Sequence, residues 1–236
     1  MGGKCIEFHY RFELADGRAA EHVVRLDAQS LALQPSLCPT EPREWTQLEF
    51  HQCSHCPLRV EDSPCCPVAE GLADLLDFTG PLVSHAALKV EVTTPDRTVT
   101  ASTTAQRAVS SLMGLVMAAS ACPHMSWLRP MARFHLPLAS EEETLYRAAS
   151  MYLLAQYFRH REGLGTDLAL AGLRDIYQRL HTVNMAMAER LRAAAEEDAS
   201  VNAVVILDLL AKAMPASIEY SLEELEYLFR PYLGER

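Results

Sequence analysis

The sequence has no surplus of basic residues and no segment with the pattern of a secretory signal. It contains 21 Lys and Arg against 31 Asp and Glu, which gives a formal net charge of −10 at pH 7. Because binding to a phosphate backbone depends on clustered positive charge, we expect no nucleic-acid partner. The N-terminal residues lead directly into alternating polar and apolar positions without an apolar core, so we expect no secretory signal.

Long hydrophobic runs and common catalytic signatures are also missing. The longest uncharged run, 108–128, contains serines, a proline and a histidine, which is typical of a buried helix and loop rather than a bilayer span. We therefore expect no membrane partner and a cytoplasmic location. The chain has no P-loop, G-x-G-x-x-G, G-x-S-x-G or H-E-x-x-H motif. No catalytic residue can be assigned, and it stays open whether the protein is an enzyme.

The spacing of apolar residues predicts an α+β fold in two parts. In the first hundred residues a period of two predicts antiparallel strands at 5–14, 21–27, 46–50, 88–92 and 98–101. This part also contains one short predicted helix, 67–78. From about residue 103 a period of 3.6 predicts helices over 105–121, 144–161, 167–196, 201–214 and 222–229. We divide the chain into a β-rich module, 1–102, and a helical module, 103–236, which either are separate or share one core.

The seven cysteines suggest a metal site. In a reducing cytoplasm, clustered cysteines more often bind a metal or react as thiols than form disulfides. Cys53 and Cys56 form a Cys-x2-Cys pair, which can hold one ion because the chain turns back between them. We prefer Cys66 to its neighbour Cys65 as a third ligand, because Cys66 precedes a predicted helix whose N-terminus favours a thiolate. Cys122 completes the predicted set of four ligands.

The metal is predicted to be an iron–sulfur cluster, with zinc as the alternative. Cys56, Cys66 and Cys122 are each followed by proline, as is one ligand in bacterial ferredoxins, and dispersed ligands suit a [4Fe–4S] cluster. Structural zinc sites typically use two short knuckles, and only one is present. Neighbouring histidines can nevertheless replace a cysteine at a zinc ion, and the candidates are His51, His55 and His124. The expected role is structural, redox-sensing or electron transfer.

Other interpretations of the cysteines stay open. Free cysteines are often inert core residues, and a Cys-x2-Cys pair can act as a redox dithiol. The dithiol interpretation is the weakest, because Cys53 does not open a helix within a βαβ pattern. Cys5 and Cys38 are interpreted as structural.

A second candidate site contains Arg129, Arg133 and His135 in an otherwise apolar segment. Paired arginines can bind a carboxylate or phosphate, and a histidine can act as acid or base, which suggests an enzyme or a binder of small anionic ligands near the metal. The simpler interpretation is that the arginines form ion pairs or cap helices and that His135 is a hydrogen-bonded core residue.

Asp208 lies in an apolar run and needs a partner, for which we expect an arginine. A third possibility is a scaffold that binds a protein partner through the helical half.

Five segments carry a resemblance: LEFHQCSHCPL at 48–58, CPVA at 66–69, RPMARFHLP at 129–137, SMYLLAQYF at 150–158 and LEYLF at 225–229. Together they resemble a family of bacterial proteins that is defined only as a domain of unknown function. The resemblance spans nearly the whole chain. It implies a bacterial protein whose cysteines belong to one motif set, and it implies no activity.

Overall fold

The computed structural model describes residues 5–34, 43–79, 81–195 and 198–234. Within them, an N-terminal four-stranded antiparallel sheet is followed by a mostly helical C-terminal part. This arrangement confirms the predicted α+β fold. Cys38 and the proline-rich stretch around it lie outside the described residues.

The sheet has the strand order β2-β1-β3-β4, and every neighbouring pair is antiparallel. In β1, the side chains of Phe8, Tyr10 and Phe12 are buried, while His9 and Arg11 between them are exposed. One face of the sheet therefore carries the core and the other faces water, as the alternation predicted. The strands are β1 (Cys5–Leu14), β2 (Ala19–Asp27), β3 (Ala87–Thr93) and β4 (Thr98–Thr104).

Seven α-helices occur in the described part of the chain. They are α1 (Pro67–Thr79), α2 (Ala105–Ala119), α3 (Arg129–Arg133), α4 (Glu141–Arg161), α5 (Ala171–Ala194), α6 (Ala199–Ala216) and α7 (Arg230–Leu233). Short 3₁₀ segments lie at Glu44–Thr46, Ser126–Leu128 and Glu223–Phe229, and a π-helical turn at Ser217–Ser221 follows α6.

The apolar residues buried in both halves form a single hydrophobic cluster. It joins Phe8 and Val24 of the sheet to Val204 of α6, and α2 packs against α1, α3 and α6. The β-rich and helical parts therefore share one core. This matters for the cysteines, because it brings the end of α2 close to the loop that follows the first hairpin.

Two local predictions are wrong. The predicted strand at 46–50 is instead a 3₁₀ turn, further turns and a single bridge between Gln47 and Cys65. The carbonyl groups of this segment are bonded to a side chain from α5, described below, and not to a neighbouring strand. The sixth helix also extends beyond its predicted end at Pro215, which lies inside α6.

Helix α6 is the one helix in the described chain whose length and composition would suffice to cross a membrane, a test that core helices also pass. It packs against α2 and α5. Its buried Asp208 has an Oδ1 atom 2.5 Å from Nδ1 of His181 and an Oδ2 atom 2.9 Å from Nζ of Lys212. The expectation of an arginine partner for Asp208 is thus wrong, although the carboxylate is paired.

Candidate metal centre

The Cys53–Cys56 segment forms a tight turn. The backbone N–H of Cys56 donates to the carbonyl of Cys53 over 3.0 Å. The preceding His51 has a positive φ of 45°, a conformation that is uncommon outside glycine. The turn places Cys53 and Cys56 at the two ends of one hydrogen-bonded loop, which is the backbone arrangement of a Cys-x2-Cys knuckle.

Cys65 and Cys66 occupy different local environments. Cys65 forms the bridge with Gln47, and the hydroxyl of Thr46 lies 4.0 Å from its sulfur. The Cys66 N–H donates to the carbonyl of Thr46 over 2.8 Å, and its own carbonyl accepts from Glu70 in the first turn of α1.

Cys122 follows the end of α2 and is 8% exposed. Its carbonyl accepts hydrogen bonds from the N–H groups of Met125 and Ser126 at 3.0 and 3.2 Å. Two residues further on, the ring of His124 stacks on the ring of His55 with centroids 3.9 Å apart and planes 6° from parallel. His55 belongs to the knuckle, so the knuckle and the Cys122 segment are in direct contact.

The two histidines bond to the backbone. Nε2 of His124 lies 3.0 Å from the carbonyl of His55, and Nε2 of His55 lies 3.1 Å from the carbonyl of Arg179 at α5. Each Nε2 therefore donates a hydrogen bond. Burial lowers the pKa of His55, and the nearby His124 adds to the effect. The stacked rings join three separate parts of the chain here.

The other predicted ligands affect the ionisation of Cys53 and Cys122. Burial, with smaller contributions from Cys66, Cys122 and Cys56, raises the pKa of Cys53 to about 12. Burial likewise raises the pKa of Cys122, with smaller contributions from Cys66 and Cys56. The fold thus brings the four thiols into one neighbourhood. Cys65 is absent from both sets of interactions.

The described residues contain no group of three or more His, Cys, Asp and Glu side chains arranged to hold a metal ion. The four thiols are neighbours, but their sulfur atoms are not gathered at coordination geometry. The raised pKa values of Cys53 and Cys122 mean that these two thiols stay protonated unless a cation binds beside them. A metal ion would supply that charge, because a thiol that coordinates a metal is deprotonated.

Arg190 of α5 is the residue that the sequence analysis missed. It is 1% exposed. Its Nη1 donates to the carbonyls of Trp45 and Gln47, both at 2.7 Å, and its Nη2 donates to the carbonyl of Leu48 at 2.8 Å. The sequence does contain a sign of its burial: Arg190 comes three residues after Met187, on the apolar stripe of its helix.

This guanidinium also lies near the sulfur atoms. Burial lowers the pKa of Arg190, and the thiols of Cys66, Cys53, Cys56 and Cys65 oppose that shift. In the described chain Arg190 has no carboxylate within ion-pair distance. A buried cation without an anionic partner is costly, so the pocket around the four thiols favours a centre with net negative charge.

The structure does not gather Arg129, Arg133 and His135 into one site. Arg133 lies over the ring of Phe134, 5.2 Å from its centroid, and that ring is 71% exposed. The buried Nε atom of Arg129 has no hydrogen-bond partner among the described residues. Only His135 turns inward, where its Nε2 atom lies 2.5 Å from the hydroxyl of Tyr10 in the sheet.

The site therefore belongs to an α+β protein with four neighbouring thiols, one buried and three half-buried, and a buried guanidinium. A family model described as "Domain of unknown function (DUF6901)" matches residues 8–230. The chain belongs to this family, which agrees with the resemblance noted above; the match does not test the individual motifs. No curated protein and no solved structure gave a match to the chain.

We predict that Arg190→Met lowers the free energy of unfolding by roughly 2 kcal/mol or more, because the buried carbonyls of Trp45 and Leu48 are left without a partner at a cost of about 1–3 kcal/mol each. Urea denaturation followed by circular dichroism measures the change. The matched control is Arg192→Met on the same helix, whose side chain is 51% exposed; it should change stability by less than about 0.5 kcal/mol. Equal effects of the two substitutions would contradict the role assigned to Arg190.

Protonation of His135 should destabilise the fold. Burial lowers its pKa to about 3, and Arg147 contributes. The unfolded state binds the proton near pH 6.5, so stability is lost as the pH falls below that value. Between pH 7 and pH 5 the wild type should lose about 2 kcal/mol more than His135→Gln. Denaturant titrations at both pH values test this, and parallel losses in the two proteins would refute it.

Proposed function

We propose that Cys53, Cys56, Cys66 and Cys122 bind one metal centre in a bacterial cytoplasmic protein, as an iron–sulfur cluster or, alternatively, as zinc. The observation that carries the proposal is the buried Arg190 guanidinium beside the thiols of Cys53, Cys56 and Cys66, with Cys122 close to Cys53. The proposed role is structural or redox, including electron transfer to a partner. We propose no enzymatic reaction.

Charge balance supports this assignment. Four thiolates around a divalent zinc ion carry a net charge of −2, and a thiolate-bound iron–sulfur cluster is also held by four negative ligands. The positive charge of Arg190 offsets part of this negative charge in a buried environment. Four protonated thiols would leave the guanidinium without any such partner.

The bound metal would supply the positive charge that keeps the thiols deprotonated. The chain's own residues position the ligands: Arg190 fixes the carbonyl groups of the loop before the knuckle, and the His55–His124 stack holds the knuckle against the Cys122 segment. Because the described thiols are not arranged to hold an ion, binding requires the cysteine side chains to move inward.

Cys66 remains the preferred third ligand over Cys65. Cys66 acts on the ionisation of both Cys53 and Cys122, whereas Cys65 lies beside the hydroxyl of Thr46. His55 stays an alternative ligand at a zinc ion. Its Nε2 donates to the carbonyl of Arg179, and its buried Nδ1 has no partner among the described residues, so Nδ1 is free to bind a metal.

The test is metal analysis and absorption spectroscopy of protein purified without oxygen. We expect about four irons per chain with acid-labile sulfide and a broad visible absorption band. One colourless zinc per chain would support the four-cysteine site and overturn the cluster. Protein that holds neither metal, even after anaerobic reconstitution with iron and sulfide or titration with zinc, would overturn the proposal.

Cysteine variants identify the ligands. Cys53→Ser and Cys122→Ser should each lose the metal, because each removes one predicted ligand. Cys5→Ser is the matched control, since Cys5 is exposed on β1, and it should keep a full metal content. Cys65→Ser should also keep the metal and Cys66→Ser should lose it; the reverse result would exchange the two assignments.

A further inference from the structure

A cavity of about 230 Å³ lies in the helical half, between α2, α3, α5 and α6. Most of its walls are apolar, with side chains such as Met117, Met131, Leu180, Leu207 and Leu210. At about 30 Å³ for each water-sized group, it has room for roughly eight non-hydrogen atoms. A small, largely apolar ligand fits this space.

The charged groups that line the cavity are all of one sign. The described lining residues include Arg107 and Arg147 and no aspartate or glutamate. Nη2 of Arg147 donates to the carbonyls of Met131 and Phe134 at 3.1 and 2.9 Å. Its Nη1 and Nε atoms have no partner among the described residues, so part of the guanidinium is free to bind an anion.

Two buried polar side chains of α5 also face this cavity. Tyr177 and Asn184 are 4% and 3% exposed. Within the described chain, no hydrogen bond joins the Tyr177 hydroxyl or the Asn184 amide to another residue. A hydroxyl that faces the cavity near this guanidinium and has no protein partner is free to donate to a polar ligand. Burial raises the pKa of Tyr177, which keeps its hydroxyl protonated as a donor.

We propose that this cavity binds a small monocarboxylate with an unbranched apolar chain of about six carbons. The carboxylate accepts hydrogen bonds from Arg147 and Tyr177, and the chain lies among the leucine and methionine side chains. The site uses none of the four cysteines, so its test is independent of the metal proposal.

The experiment is calorimetric titration of the full-length protein with hexanoate, with hexanol as the neutral ligand of matched chain length. Hexanoate should bind and hexanol should bind at least tenfold more weakly, because only the carboxylate can pair with the guanidinium. No binding of hexanoate at millimolar concentration, or equal binding of both compounds, would overturn the proposal.

A matched pair of tyrosine variants locates the ligand. Tyr177→Phe keeps the ring and removes the buried hydroxyl, and it should weaken hexanoate binding about tenfold. The control is Tyr157→Phe, whose side chain is 55% exposed on α4, and its affinity should equal that of the wild type. Ala118→Phe, which fills the cavity, should abolish binding while the circular dichroism spectrum stays native. Unchanged affinity in Tyr177→Phe would place the ligand elsewhere.

A separate observation concerns the outer face of α4. Five large apolar side chains on this helix are 40–55% exposed: Tyr146, Leu153, Leu154, Tyr157 and Phe158. Their spacing of three, four and seven residues places them along one stripe. The opposite side of α4 contacts Asp167. The Gln156 side chain accepts a hydrogen bond from the N–H of Asp167, and the Tyr152 hydroxyl donates one to its carboxylate.

Charge at the two ends of this helix suits pairing with a copy of itself. The first turn carries three acidic residues, Glu141, Glu142 and Glu143, and the last turn carries Arg159, His160 and Arg161. Antiparallel pairing about a two-fold axis places each acidic end beside the basic end of the other copy. We propose that two copies of the chain associate through α4 in this orientation.

Light scattering coupled to size-exclusion chromatography tests the association. The wild type should be a dimer and Leu154→Glu a monomer, because the substitution places a charge in the apolar stripe. The matched control is Leu209→Glu on α6, a leucine 60% exposed, which should stay dimeric. Arg161→Glu should weaken the dimer and the added change Glu142→Arg should restore it. A monomeric wild type, or a dimer unaffected by Leu154→Glu, would refute the pairing.

Discussion

The three hydrogen bonds from Arg190 to backbone carbonyls determine the arrangement of the cysteine region. They connect α5 to the segment 45–48, which precedes the knuckle and carries the bridge to Cys65. Carbonyl groups that would pair with a neighbouring strand in a sheet instead accept from one side chain. The loop is thereby fixed in an irregular shape at the interior of the protein, which costs free energy unless every buried polar group has a partner.

The same guanidinium sets the electrostatics of the region. Burial and the neighbouring cysteines both raise the pKa of Cys53, and both therefore favour its neutral thiol. The arginine acts in the opposite direction. A centre that bears negative charge is the arrangement in which the buried cation and the four sulfur atoms are each compensated.

The regular elements were predictable from periodicity, and the loops that form the candidate site were not. The alternation around Phe8, Tyr10 and Phe12 predicted a strand with one buried face, and the period of 3.6 predicted a helix over 144–161. The structure has this helix as α4, with a capping box formed by Ser140 and Glu143 at its start. The segment 46–50 was assigned wrongly because its hydrogen-bond partner lies more than 140 residues away. No local pattern encodes such a contact.

For the candidate site, the sequence indicated which types of residue are involved, but it did not indicate which of them lie close together in the fold. The spacing of the cysteines identified the knuckle, and the fold brings Cys66 and Cys122 to it. The trio of Arg129, Arg133 and His135 was close in the chain, yet short helical turns direct the three side chains to different surroundings. Arg147 and Tyr177 were not predicted as site residues. Only the cavity that they face distinguishes them from other arginines and tyrosines on helices.

The long sequence separation of the Arg190 contacts has a consequence for how the chain folds. The carbonyl groups that bond to Arg190 belong to residues made 142–145 positions earlier in the chain. During synthesis they therefore cannot form these hydrogen bonds until α5 has emerged. Until then the segment before the Cys53–Cys56 turn lacks the contacts that fix it in the finished fold.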